Sequence, residues 1–595
     1  MIRVSDFIFE WLADYGLKHV FTVPGGAAMH LNDSAGNTKG IQVIANLHEQ
    51  ASAISAEGYA RISGGLGCCM VTAGPGGTNA ITGLAGAYLD STPVLFLSGQ
   101  VKRADLKGER GVRQYGVQEF DIVSIVKPLT KFAVTIVQPE DIKLILEKAV
   151  NIATTGRKGP VWLDIPLDVQ GAMIDPDKLK GYHIEKKSKQ IDLSEEVDKL
   201  AKLLNQAERP LLLVGNGVRL SDAIDEFRHL IEQLNIPIQT TWLGMDLIES
   251  NHPLFAERPG GMAPRVANFT LQNCDLLIII GARLDLGMVG YSYKNIAREA
   301  RKVVVDIDIS EINKMDFDID LKLECNAKDF INSILKSKIS WNTNSDWLNK
   351  IKNWKLKYPL ITEEQLNKNS ILSAYNFSRT LSDCLANEDI IAPGSSGFAC
   401  EIFLLCYQNK KGQRIYHNRG TGSMGFGLPS AIGACIASNK KRTICVDGDG
   451  GLQMNIQELQ TIITYNLPIK IFIINNGGYA SIRSSQIGYF GRKVVADNES
   501  GLGIPNLEEL AKAYKFKTYI IDNSNTLIQD INEALSYEGP VFCEVRVRND
   551  EPRIPRLASF KKEDGTMVSR PLEDLYPFLD REEFHSQMII KTINE

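Results

Sequence analysis

Residues 443–479, TICVDGDGGLQMNIQELQTIITYNLPIKIFIINNGGY, are the stretch on which the fold turns. Ile444, Cys445 and Val446 make an apolar run of the kind that becomes a buried parallel strand, and it stops at Asp447-Gly448-Asp449-Gly450-Gly451. Ile456, Leu459, Ile462 and Ile463 then recur at helical spacing, and a second apolar run, 469–474, ends on Asn475-Asn476. The pattern predicts a βαβ unit with oxygen ligands at both strand ends. Ligands of an open parallel sheet bind beyond the carboxyl ends of its strands, so Asp449 and Asn476 are expected at one edge. One carboxylate with one amide oxygen is poor for zinc and good for Mg²⁺, a hard ion that keeps positions for water and phosphate oxygens. The glycines let backbone amides close around a diphosphate. Either half alone reads more simply as a surface turn; the pair on consecutive strands favours a ligand.

At 595 residues the chain is too long for one core, and three domains of ordinary size are expected. Net charge is −5 with both signs interspersed and no long Lys/Arg run, so nothing points to nucleic acid or an anionic membrane. No apolar stretch reaches membrane-spanning length. In the opening MIRVSDFIFEWLADYG, Val4, Phe7, Ile8, Trp11 and Leu12 recur at helical spacing among acidic residues, which reads as a first helix rather than a targeting peptide. The ten cysteines include no CxxC, and several lie in apolar runs, as small buried hydrophobes of a reducing cytoplasm do.

Outward from the decisive stretch, residues 1–175 alternate helices with strands at 19–23, 42–47, 67–71, 94–98 and 160–165, a doubly wound α/β domain. A polar, lysine-rich linker over 175–192 leads to a second α/β domain, 193–340, with strands at 211–214, 275–280 and 303–307. Residues 337–370 turn polar, as in a second linker with short helices; the third domain is 371–550. The tail, 551–595, is rich in charge and proline, and is either loose or a lid.

GDG, 24 residues, then NN is similar to the diphosphate and Mg²⁺ signature of thiamine diphosphate (ThDP) enzymes. VPGGAA (23–28), HEQ (48–50), TAGPGGTN (72–79), GPVWLDIPLDV (159–169) and GTGSMGFGLPSAIGA (420–434) resemble, in order and spacing, the acetolactate synthase branch of that family. The resemblance implies three doubly wound domains, pyrimidine-binding, middle and diphosphate-binding. It implies ThDP and Mg²⁺ as cofactors, and active sites between two chains of a homodimer or tetramer; a regulatory subunit stays open.

Glu49, in a mostly apolar setting at a strand end, is the carboxyl that would activate the pyrimidine ring; an ordinary helix N-terminal acid is the alternative. By the same resemblance Asp449, Asn476 and the Gly478 carbonyl hold Mg²⁺, while Gly448, Gly450, Gly451, Tyr479 and Ala480 line the diphosphate end. Ser395 and Ser396 stand where the family has Gln and His as further diphosphate contacts. Met424 matches the bulky residue beneath the bent cofactor. Gly26, Ala27 and Gln118 correspond to positions facing cofactor and substrate, and Asn79 to a contact near the pyrimidine. Gly420 to Gly425 satisfies GxGxxG with Asp447 beyond it, but the preceding RIYHNR is a poor buried strand, which argues against a nicotinamide site.

The family begins from pyruvate or a similar 2-oxo acid, and the two-carbon acyl anion left by CO₂ loss is protonated, oxidised or added to a second carbonyl. No histidine falls between His48 and His183, so the His-His proton donor of the decarboxylases is missing and carboligation is favoured. Ser485 aligns with a tryptophan, and Val117 with a phenylalanine, of synthases making branched-chain precursors; both changes enlarge the acceptor pocket. Residues 479–490 and the tail resemble ThDP proteins of surface-polysaccharide clusters, some of which transfer acetyl to a keto-sugar nucleotide, and Arg483 is either an anion contact or a solvated arginine. A flavin-linked pyruvate oxidase and a silent ThDP-fold protein are the other readings. GARLDLG (281–287) is similar to the family's FAD segment only in its first half, so FAD stays open.

Overall fold

The computed structural model describes residues 1–183, 192–341, 344–366, 371–561 and 567–593. Residues 184–191 of the first expected linker, 342–343 and 367–370 of the second, and 562–566 and 594–595 of the tail lie outside them.

Three parallel sheets follow one another along the chain. The first runs Gln42–Ala45, His19–Thr22, Gly67–Val71, Val94–Gln100, Val161–Pro166, Phe132–Thr135 across its face. The last runs Arg414–Ile415, Ile390–Ile391, Thr443–Gly448, Ile469–Asn475, Val541–Arg546, Lys517–Ile521. Numbered by appearance, both have the order 2-1-3-4-6-5, so each reverses direction between its first and third strands and opens a crevice there. The middle sheet, Ile238–Thr240, Pro210–Val214, Leu276–Ile280, Arg301–Asp306, Leu321–Glu324, has the related order 2-1-3-4-5. The α/β, three-domain reading is therefore the observed architecture.

The opening helix, Val4–Tyr15, buries Val4, Ile8, Phe9 and Leu12 and stops at Gly16, whose φ of 104° suits the left-handed cap. The outer domains share one apolar cluster, in which Phe21, Ile54 and Trp162 of the first join Ile432, Leu459 and Phe542 of the last. Its centre is the crossing of helix Glu49–Ser63 with helix Gly427–Ala437. Both are rich in Ala, Ser and Gly and buried all round, which brings the backbones close. A Cβ at Gly433 would lie 1.9 Å from the Ser55 carbonyl oxygen, and one at Gly58 would lie 2.5 Å from that of Ser430.

Two expectations change. The polar stretch near 345 is one 13-residue helix, Ser345–Lys357, that buries Trp347 and Trp354 on the middle domain; its tryptophans outweigh its lysines. The described part of the tail is docked rather than loose. Glu551 accepts from Ser373 Oγ and Ala374 N at 2.5 and 2.7 Å, Asn268 Nδ2 donates to Leu572 O at 2.7 Å, and Arg298 pairs with Glu573 at 2.8 Å. The tail thus runs from the last domain back onto the middle one. Every cysteine but half-buried Cys384 is buried, and none forms a disulfide. No helix among the described residues is long and apolar enough to cross a membrane.

Candidate active site

The diphosphate end is built at the carboxyl edge of the last sheet. Gly448 stands level with Ile474 in the parallel register, so the turns after these two strands emerge together. Asp449 joins them: its Oδ1 accepts from Gly450 N and its Oδ2 from Gly478 N, both at 2.8 Å. Burial pushes its carboxyl up to about 6, against the pull of those backbone N–H groups. Asn476 is buried and its Oδ1 has no partner among the described residues. Asn475 differs, since its Nδ2 donates to Glu544 Oε1 at 2.7 Å and its Oδ1 accepts from Gly477 N at 3.1 Å. Of the two asparagines, one braces the sheet and the other presents an oxygen. With the Gly478 carbonyl, which accepts from Ala480 N at 3.1 Å, this all-oxygen donor set fits a hard divalent cation.

Asp447 is the residue that sequence reasoning undervalued. It is buried, accepts from Ser396 Oγ at 2.5 Å and from Gly448 N at 2.8 Å, and burial holds its carboxyl above the ordinary range. A Cβ at Gly394, Gly427 or Gly451 would come within 2.2, 2.6 or 2.4 Å of its carboxylate. Three glycine motifs therefore close on one aspartate, a signal visible in sequence only once the strands are aligned. Ser396 is committed to Asp447, whereas Ser395 Oγ is buried without a partner among the described residues. Gly450 lies under the Tyr479 ring, 2.3 Å from an added Cβ, so its missing side chain answers to Tyr479.

The other half lies at the carboxyl edge of the first sheet. Gly26 and Ala27 form a short turn beyond His19–Thr22, and Glu49 begins the helix that follows Gln42–Ala45. His48 caps that helix through Nδ1, which accepts from Gln50 N at 3.1 Å. Glu49 is half-buried, a wetter setting in this chain than the sequence suggested, and its Oε2 accepts from Asn79 Nδ2 at 2.9 Å. Gln118 sits over the turn after Gly67–Val71, with its carbonyl 2.8 Å from a Cβ placed on Gly74. Met424, half-buried, rides the loop before helix Gly427–Ala437. Gln50 Oε1 and the Gly425 carbonyl both accept from Asn455 Nδ2, at 3.1 and 2.8 Å, so the Glu49 and Met424 elements share a partner.

A cavity of about 1160 Å³ lies among all three domains and the tail, with Asp90, Asn216, Arg283, Ser485, Arg553 and Tyr576 among its walls. Ser485 turns its hydroxyl to Ser481 O at 2.9 Å and leaves the chamber open. Arg483 is not a solvated arginine: it donates to Asn476 O and Asn549 O at 3.1 and 2.6 Å and faces Asp497, a strut under the Asn476 turn.

Residues 2–125 match the family described as thiamine pyrophosphate enzyme, N-terminal TPP binding domain; residues 197–334 match its central domain and 396–545 its C-terminal TPP binding domain. The acetolactate synthase large subunit of Lactococcus lactis is 32% identical over 562 residues, covering 93% of this chain and 94% of that one. That of Porphyra purpurea is 31% identical over 574 residues, 93% of each. The probable large subunit of Methanocaldococcus jannaschii is 32% identical over 575 residues, 93% and 94%. The chain belongs to the acetolactate synthase family of ThDP enzymes. These relatives favour a ThDP-dependent carboligase over the keto-sugar acetyltransferase, oxidase and silent-protein readings.

Proposed function

We propose that this chain decarboxylates pyruvate, or a similar 2-oxo acid, and transfers the two-carbon acyl anion to a second carbonyl, with pyruvate as acceptor giving acetolactate. The observation that carries the reading is Asp449 closed onto the Asn476 turn, with the Asn476 amide oxygen and the Ser395 hydroxyl both buried and without a partner among the described residues. Asp449, Asn476 and the Gly478 carbonyl would hold Mg²⁺, and Ser395 and the backbone of 448–451 the diphosphate. ThDP, when bound, supplies the nucleophilic carbon and takes up the charge left by CO₂. Glu49, which accepts from Asn79, would hold the proton exchanged with the pyrimidine ring, Met424 would support the cofactor, and Gly26, Ala27 and Gln118 would face the reacting carbonyl.

FAD is the proposed occupant of the middle-domain side of the large cavity, where the wall carries Asn216, its Oδ1 without a partner among the described residues, and the Ser485 side is left to the acceptor. Assembly as a homodimer or tetramer is supported by exposed apolar residues beside both halves of the site: Tyr115, Val117 and Phe120 near one, Ile487, Tyr489 and Phe490 near the other. The test incubates purified protein with ThDP, Mg²⁺ and pyruvate and follows acetolactate by mass spectrometry. Product that depends on both cofactors is expected; pyruvate left untouched in their presence refutes the reading.

A further inference from the structure

The loop 418–426, which carries Met424, is held by the first domain as much as by its own. Arg419 N and Gly420 N donate to Asp90 Oδ2 and Oδ1 at 3.2 and 3.0 Å. Asp90 lies at the end of a first-domain helix, with its side chain wholly buried. Arg61, whose side chain is 4% exposed, donates to Asp90 Oδ2 at 2.8 Å and to the buried Glu57 Oε1 at 2.6 Å. The Arg419 side chain is in turn paired with Asp285 of the middle domain at 3.0 Å. Within the loop, Asn418 Oδ1 accepts from Thr421 N and Gly422 N at 3.1 and 3.3 Å, which ties the rest of the turn to that fixed start.

A buried ion cluster contributes little net stability over well-packed apolar residues, because desolvation offsets most of the attraction. What this one supplies is geometric. Asp90 is aimed at two consecutive backbone N–H groups four and five residues ahead of Met424. Charged acceptors make the stronger hydrogen bonds, so the start of the loop has one favoured position.

We propose that Asp90, braced by Arg61 and Glu57, is a positioning residue that sets the Met424 loop and thereby the bend of the bound cofactor. The inference rests on the reading above that Met424 lies beneath ThDP. It makes cofactor geometry a property of the docked first and last domains, not of the last domain alone.

Two variants test it. Asp90→Asn keeps the shape but replaces an acceptor oxygen with a donor, so either Gly420 N alone loses an acceptor, or Arg419 N and Arg61 together do. Gly420→Ala leaves every charge in place and pushes the loop away, since its Cβ would lie 2.9 Å from Asp90 Oδ1 and 2.5 Å from Leu89 Cβ. ThDP and Mg²⁺ binding is followed by calorimetry, the bend by cofactor-induced near-ultraviolet circular dichroism, and turnover with pyruvate. In both variants the induced dichroism should fall by about half or more and kcat about tenfold, as misplacement of a fraction of an ångström predicts, with KM for pyruvate little changed. Both should fold, though melting lower because a buried ion cluster is broken or a methyl is overpacked. Wild-type dichroism and kcat in both folded variants would overturn the inference. So would a fall in kcat with intact dichroism, the mark of a merely structural role. Wild-type protein that neither binds ThDP nor acquires dichroism would instead overturn the cofactor reading itself.

Discussion

Replacing Gly433 by alanine puts the crossing of the two central helices under direct strain. The added Cβ would stand 1.9 Å from Ser55 O and 2.8 Å from both Ser55 C and Tyr59 N. Carbon and oxygen do not ordinarily approach within about 3 Å, so the helices must part by roughly 1 Å. Neither contact is with a side chain that can turn aside. Overpacking by one methyl costs about 1–3 kcal/mol, and backbone on the far side places this case near about 3. Spread over a unit of domain size, that lowers the melting temperature by roughly 6–12 °C. Because the same helix starts at Glu49, a shift of about 1 Å should also cost on the order of a hundredfold in turnover. Gly36→Ala is the control: nothing lies within 4 Å of its added Cβ in helix Met29–Asn37, so melting should stay level or rise slightly. Scanning calorimetry at one scan rate and acetolactate formation measure both effects. A Gly433→Ala protein that melts within about 1 °C of wild type and turns over normally would refute the close-contact argument.

Other outcomes follow from the site and the core. Glu49→Gln should cut acetolactate formation by about a thousandfold or more with the melting curve unchanged, and near-normal turnover would remove Glu49 from its role. Asn476→Ala deletes an oxygen that no described residue uses, so stability should hold while the Mg²⁺ concentration for half-activity rises about tenfold; calorimetric Mg²⁺ titration checks it. Burial, with Arg419 and Arg61 nearby, drives the His417 imidazole down to about 3 from its ordinary 6.5, so the fold holds it neutral. Stability from that group is full above 6.5 and is lost as pH falls toward 3, at about 1.4 kcal/mol per unit; His417→Phe should lose less than wild type on acidification, and parallel curves would contradict this. Ser485→Trp should shrink the chamber, slowing acceptors bulkier than pyruvate relative to pyruvate itself in competition assays.

Much of this was legible in the sequence because central parallel strands are continuous apolar runs. Gly67–Val71 and Leu276–Ile280 are buried at every position, and their reading needed only composition. Several of the strands that escaped notice lack that signature, although Val541–Arg546, buried at five of six positions, has it. Phe132–Thr135 is an edge strand half-buried throughout, Leu321–Glu324 alternates buried and exposed, and Ile390–Ile391 and Arg414–Ile415 have two residues each. At the site, Asp449 and Asn476 could be found because their ligand chemistry is written next to a strand end. Asp447 could not, because apart from its own glycine turn its partners come from Ser396 and two distant glycines, Gly394 and Gly427. Asp90 was silent for the same reason: its contacts to Arg419 and Gly420 cross more than 300 positions of sequence. The docked tail eluded composition because its anchors, Glu551 and Glu573, look like any surface acids until Ser373 and Arg298 are set against them.

The first and last sheets repeat one plan, 2-1-3-4-6-5, and each brings the same kind of crevice to the molecule. In the proposed dimer, a cofactor whose ring end enters the first-domain crevice of one chain and whose diphosphate enters the last-domain crevice of its partner would behave as a caliper. It reads the spacing between two copies of a single architecture, so its affinity should register a misfit between domains before either domain begins to unfold. In such a molecule the earliest sign of damage is a lost coenzyme, not a lost fold.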